Sequence, residues 1–237
     1  MEPLEIAALP PGMRARFVPE INGLRVHVLE AGFEAAGRPL ILLLHGFPEI
    51  AYSWRKVMLP LAAAGFHVVA PDQRGYGRTT GWDADFDGDL GAFRLLNAVR
   101  DALGLVAALG CRSVAAVVGH DFGASVAAWC AVVRPDVFRS VALMSAPFAG
   151  PPELPFDTDK NPPRPETGPT IHEALAALPR PPLIVWGAAD KVIPVAHVQE
   201  AQRAAQSRIE AFADCGHCPH IEHSETFNQL VRTFLSE

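Results

Sequence analysis

Long apolar runs, stretches of one charge and a secretory leader are all missing from this sequence, and each absence narrows the possibilities. The longest apolar runs, such as Leu40 to Leu44, are far too short to span a bilayer. Met1 to Pro11 has no basic segment followed by an apolar core, so no signal peptide is expected. Only four cysteines occur in 237 residues, and without secretory features they read as free thiols. The net charge is -6 with no run of one sign, which leaves nothing to grip nucleic acid or an anionic membrane surface. No internal repeat is found. The expectation is a soluble, cytoplasmic protein whose partner is a small molecule; the sequence is silent on oligomeric state.

What is present is ordinary globular material, 49% hydrophobic and 19% charged. A chain of this length fits one α/β domain over 1–237 and can bury roughly three-quarters of its unfolded surface. Arg14 to Glu20 and Leu24 to Ala31 read as strands joined by a turn at Ile21-Asn22-Gly23, an antiparallel N-terminal hairpin. Pro39 to Leu44 and Phe66 to Ala70 are continuous apolar runs of the kind found in parallel strands covered on both faces. Val114 to Val118, Ser140 to Ser145, Leu183 to Trp186 and Arg208 to Ala213 continue the series. Helical spacing is expected over Ser53 to Ala64, Leu90 to Leu109, Ala124 to Val133, Val195 to Gln206 and Ser224 to Leu235, with Ser224 as N-cap. Alternating strands and helices imply an open, mostly parallel sheet with helices on both faces. Pro147 to Pro182 interrupts this rhythm. It holds 11 of the 22 prolines, has one plausible helix at Ile171 to Leu178, and reads as an excursion across the top of the sheet.

The chemistry centres on Gly119-His120-Asp121-Phe122-Gly123. A strand, a tight turn with glycine two residues either side of a polar residue, and then a helix is the layout of a nucleophile elbow. Aspartate occupies the position where serine is usual. The elbow needs an acid and a histidine later in the chain, and both follow strands: Asp190 after Leu183 to Gly187, and His217 after the last strand. Both therefore reach the carboxyl edge of the sheet, where chemistry in open α/β sheets gathers. The turn His45-Gly46-Phe47-Pro48 can present the Phe47 N–H to the same point, and with the Phe122 N–H it would form an oxyanion hole.

These segments together resemble an α/β-hydrolase of the epoxide hydrolase branch. The resemblance rests on HGFPE (His45 to Glu49), PDQRGYGRT (Pro71 to Thr79), GHDFGA (Gly119 to Ala124), GAADKVIP (Gly187 to Pro194) and GHCPHIEH (Gly216 to His223). It implies Asp121 as nucleophile, His217 as base, Asp190 as its orienting acid, and Phe47 and Phe122 as oxyanion donors, with no cofactor and no metal. An aspartate elbow suits saturated electrophiles. Attack on an epoxide or alkyl halide gives an ordinary ester that a His-activated water can hydrolyse, whereas attack on an ester gives an anhydride that reverts. Dehalogenases of the fold typically place a side-chain donor after the nucleophile; Phe122 and Phe47 have none. Epoxide hydrolases typically protonate the leaving oxygen with cap tyrosines. This chain has only Tyr52 and Tyr76, both upstream of the expected cap position, and none between Pro147 and Pro182. The resemblance to epoxide hydrolases is closest before about Pro181 and more general beyond it. The reading is a capless or cap-trimmed hydrolase, with a dehalogenase or a catalytically silent binding protein of the same fold as alternatives.

Bland roles compete at several positions. Asp190 could cap a helix near Pro194. His120 reads as a packing or hydrogen-bonding residue rather than a base, Asp72 and Arg74 as a structural turn network, and Trp54, Trp82, Trp129 and Trp186 as packing residues. Cys215-Gly216-His217-Cys218 matches a disulfide-exchange motif, and with His220 and His223 it suggests zinc. Its place after the last strand argues against the redox reading, and a zinc ion there would consume His217.

Overall fold

Leu40–Leu44 shows how the sequence builds the core. All five residues are buried, and they alternate between two apolar clusters: Leu40, Leu42 and Leu44 enter one, Ile41 and Leu43 the other. A strand's period of two makes one run of leucines serve both faces of a sheet. In the computed structural model, residues 9–146, 175, 177–195 and 207–237 are described. The strands are β1 (Met13–Ile21), β2 (Leu24–Ala31), β3 (Leu40–Leu44), β4 (His67–Pro71), β5 (Ala116–His120), β6 (Val141–Met144), β7 (Leu183–Gly187) and β8 (Arg208–Phe212). They form one sheet in the order β1-β2-β4-β3-β5-β6-β7-β8. β1 pairs antiparallel with β2, and β2 with β4; the pairs from β4 to β8 are parallel. The mostly parallel sheet with an antiparallel N-terminal hairpin is therefore present.

Helices cover both faces. On one side lie α2 (Leu95–Ala108) and α3 (Phe122–Val133), which contribute Val99, Leu105, Val106, Val126 and Ala127 to the first cluster. On the other lie α1 (Arg55–Ala63), the single turn α4 (Pro219–Glu222) and α5 (Ser224–Ser236). Phe227, Val231 and Phe234 of α5 are buried at spacings of four and three, one face of a helix. Each such side chain contributes about 1.5–3 kcal/mol by leaving water.

Two element boundaries differ from expectation. Leu90 to Leu109 is not one helix. Asp89 accepts a hydrogen bond from Gly91 N–H, a short 3-10 turn runs over Leu90–Phe93, and Arg94 is extended before α2 begins. The aspartate offers the backbone a local partner, and the adjacent glycine makes the turn inexpensive. Ser224 is not the N-cap of α5. His223 occupies that position without a side-chain cap, because the turn α4 leads directly into the helix. Most of the expected helices Val195 to Gln206 and Ile171 to Leu178, and most of Pro147 to Pro182, lie outside the described residues.

Candidate active site

The elbow forms as the glycine spacing implies. β5 ends at His120, Asp121 turns, and α3 starts at Phe122. Asp121 has φ 50° and ψ -123°, a region that non-glycine residues enter at a cost of about 1–3 kcal/mol. Its N–H donates to the Met144 carbonyl at 2.9 Å, which ties the turn to β6. A side chain on Gly46 would place Cβ 2.5 Å from the Asp121 Cβ, so the neighbouring loop can approach only as glycine.

Asp121, His217 and Asp190 converge. His217 Nδ1 lies 2.8 Å from Asp190 Oδ2, and His217 Nε2 lies 3.4 Å from Asp121 Oδ2. Each ring nitrogen faces a carboxylate, an arrangement that favours the protonated ring. Asp190 is buried at the end of β7, and its other oxygen accepts N–H bonds from Val192 and Ile193 at 2.8 and 2.9 Å. The local cap and the histidine partner are thus one residue, each role taking one carboxylate oxygen. The strand end carrying Asp190 can lie against the His217 loop because Gly187 has no Cβ to strike the carbonyls of Cys215 and Gly216.

Phe47 N–H donates to Asp121 Oδ1 at 2.9 Å. Burial pushes the Asp121 carboxyl up, but the His217 hydrogen bond and the Phe47 and Phe122 N–H groups outweigh it and hold the group at about 2. The Asp121 hydrogen bond, opposed by burial and reinforced by Asp190, lifts His217 to about 9. Two backbone N–H groups, of Phe47 and Phe122, therefore already stabilise negative charge on the Asp121 carboxylate. The side chains of Phe47 and Phe122 are 66% and 39% exposed and bring no polar atom to the site.

Hydrogen bonds through His120 and Glu49 support the His217 loop from behind. His120 Nδ1 donates to Glu49 Oε2 at 2.7 Å, and its Nε2 donates to the His217 carbonyl at 2.8 Å. Burial would raise Glu49, yet the His120 hydrogen bond holds it down to about 2. His45 accepts from Gln73 N–H at Nε2 and donates from Nδ1 to the Gly46 carbonyl. This neutral form agrees with the lowering that burial imposes on it. Of the two roles the sequence leaves to His120, packing or hydrogen bonding, the structure shows the second, and its partner Glu49 carries no assigned role in the sequence. The available signal was the polar end of HGFPE, placed where a buried partner for His120 would be needed.

The remaining expectations sort cleanly. Asp72 receives N–H bonds from Ala51 and Arg78 and pairs with His27, while Arg74 pairs with Asp101, a structural network. Trp54 and Trp186 are fully buried, and Trp82 and Trp129 pack partly buried against the core. Tyr76 packs edge-on against His45 at 5.0 Å, and burial, with the negative charge of Asp121, raises its hydroxyl. Tyr52 lies under the Arg55 guanidinium at 4.7 Å. All four cysteines are free thiols. Burial and nearby carboxylates push Cys215 and Cys218 up to about 12, the opposite of a disulfide-exchange pair. His223 lies against the Asp214 carbonyl at 3.1 Å, away from the other histidines. Glu49, His120 and Cys218 are the donors close enough together to hold a metal among the described residues.

Comparison with known proteins agrees with the sheet. A family model described as the alpha/beta hydrolase fold matches residues 39–170, more than half of the chain. The chain belongs to the α/β-hydrolase family. A second model, the alpha/beta hydrolase family, matches 156–230 of this α/β-hydrolase. An epoxide hydrolase of Caballeronia sordidicola is 42% identical over 127 residues, 54% of this chain and 36% of that protein. Epoxide hydrolase B of Mycobacterium tuberculosis is 43% identical over 129 residues, again 54% of this chain and 35% of that one. The matched stretch thus spans about a third of these relatives' length. Among solved structures, epoxide hydrolase A from Mycobacterium thermoresistibile superposes with a TM-score of 0.74 at 25% identity, covering 94% of this chain and 98% of that one. Among the described residues, no helix is long and apolar enough to cross a membrane.

Proposed function

We propose that the protein is an epoxide hydrolase-like enzyme working through an aspartyl ester. The observation that carries this reading is an elbow carboxylate with His217 at 3.4 Å on one oxygen and the Phe47 N–H at 2.9 Å on the other. Asp121, held ionised, attacks a strained ring carbon; a C–O bond to Asp121 forms and the ring C–O bond breaks. The leaving oxygen lies on the far side of that carbon and takes its proton through solvent. Esterification removes the carboxylate charge that was the main support of the His217 imidazolium, so the ring releases one proton and the balance closes. Neutral His217, oriented by Asp190, then removes a proton from water, which attacks the Asp121 carbonyl. The Phe47 and Phe122 N–H groups receive the oxyanion. Collapse expels the diol and restores the Asp121–His217 ion pair. The epoxide hydrolase names of the relatives support the substrate class, and the absence of side-chain donors at Phe47 and Phe122 disfavours alkyl halides.

The absence of cap tyrosines in the sequence places the burden of ring-opening acid catalysis on solvent, and a reduced rate of alkylation is expected. The test is mass spectrometry of His217→Ala after exposure to a panel of epoxides and alkyl halides. An adduct on the Asp121 peptide, lost in Asp121→Ala, supports the mechanism, and the electrophile that forms it fixes the class. Absence of any adduct from either class overturns it in favour of a catalytically silent binding protein.

A further inference from the structure

Behind the Asp121–His217 pair lies a group of donors that the mechanism does not use for chemistry. We propose that Glu49, His120, Cys218 and His220 form a site for a zinc-class divalent cation. Donor atoms of Glu49, His120 and Cys218 all lie within 4.8 Å of one another, and His220 joins this trio through Glu49, whose Oε1 its Nε2 faces. Glu49 Oε1 is 3.8 Å from Cys218 Sγ and 3.7 Å from His220 Nε2. Tetrahedral zinc, with bonds of about 2.0–2.3 Å, requires ligand-to-ligand gaps of roughly 3.3–3.8 Å, so both separations already fit. His120 Nδ1 lies 2.7 Å from the other oxygen of the same carboxylate, Oε2, and exchanges that hydrogen bond for the metal.

His220 supplies the independent observation. It is fully buried, and neither ring nitrogen has a hydrogen-bond partner. A buried imidazole with two unmet polar atoms is rare in a native interior, and an unseen ion is one of the few physical reasons for it. Its ring packs on Trp54 at 4.4 Å and on His120 at 4.7 Å, which hold it beside Glu49. One thiol, two imidazoles and one carboxylate form a borderline donor set that suits zinc and is wrong for magnesium or calcium.

The charge balance favours exchange. The metal takes the lone pairs of Cys218 Sγ and His120 Nδ1, whose two protons leave to solvent. The positive charge gained equals the charge of the two protons released, so the buried site does not change its net charge. This set spares His217, unlike the cysteine–histidine grouping suggested by the sequence around Cys215. It is still linked to the active site, because His120 Nε2–H remains on the His217 carbonyl and Glu49 Oε2 also accepts from Gly46 N–H at 3.3 Å. Metal uptake therefore draws on the groups that set the oxyanion turn and the histidine, and inhibition of hydrolysis accompanies it.

The experiment is titration of the chelator-treated protein with cobalt(II), followed by displacement with zinc. Stoichiometric binding with a thiolate-to-cobalt charge-transfer band is expected. The band should vanish in Cys218→Ser, affinity should fall at least about 100-fold in His220→Gln, and both signals should persist in His217→Ala. Circular dichroism and thermal melts establish that each variant is folded, and Cys218→Ser carries the test alone if His220→Gln is not. Failure to bind at micromolar metal overturns the proposal. So does binding that survives in Cys218→Ser but is lost in His217→Ala.

Discussion

Asp121, the proposed nucleophile, sits in a backbone conformation that only its neighbours make possible, and the sharpest residue-scale consequence falls on Gly46. Gly46→Ala would set a methyl 2.5 Å from the Asp121 Cβ, so the oxyanion turn must retreat. The expected cost is about 1–3 kcal/mol of stability, read by denaturant unfolding, together with loss of adduct formation. Asp190→Ala acts differently. It leaves His217 Nδ1 and the Val192 and Ile193 N–H groups without their acceptor. Ester hydrolysis should slow by about 10²–10⁴-fold while alkylation is less affected, which pre-steady-state kinetics would separate. Asp121, Asp190 and His217 were all legible in the sequence, because each follows a recognisable strand end in the required chain order. Glu49 was not. Its partner His120 is 71 residues away, and only the pairing of β3 with β5 brings the two ends together.

At the scale of elements, the loop after β4 shows how a turn network fixes the sheet edge. Asp72 reaches His27 on β2, Ala51 in the turn before α1, and Arg78 in its own loop. The pair with His27 is almost completely buried, and breaking such a pair typically costs about 3–5 kcal/mol. Asp72→Ala should lose stability of that order by chemical unfolding, with the active-site residues themselves unchanged. The strands were legible because five-residue apolar runs bounded by turn residues have few other uses. The split of Leu90 to Leu109 was harder to read, because apolar periodicity continues through a stretch where Asp89 and Gly91 redirect the backbone. The short turn α4 was hidden for a related reason: Pro219 reads as a breaker, yet at the first position of a helix it is compatible with the fold.

For the whole molecule, folding and the proposed catalysis draw on one ion pair, Asp121 with His217. His217 is raised from 6.5 to about 9, so its contribution to stability is complete below about pH 6.5 and is lost as pH rises through about 9. Asp121 is lowered from 3.8 to about 2, so its contribution is present above about pH 3.8 and is lost as pH falls through about 2. Thermal melts between about pH 7 and pH 10 should show a falling Tm that is flatter in His217→Ala. The same linkage separates the two half-reactions. In the ester, Asp121 no longer carries charge and the main support of the imidazolium is gone. Hydrolysis of the ester should therefore follow an apparent pKa well below 9, measurable by single-turnover decay across pH.

The central claim is that Asp121, not water, makes the first bond to the substrate carbon. One turnover in ¹⁸O-labelled water, with enzyme in excess over an epoxide that forms the adduct, tests it most directly. In the proposed route, water attacks the Asp121 carbonyl, so the label enters the peptide containing Asp121 and the first diol released is unlabelled. Label in that first diol, with none in the Asp121 peptide, would show direct attack by water and contradict the account.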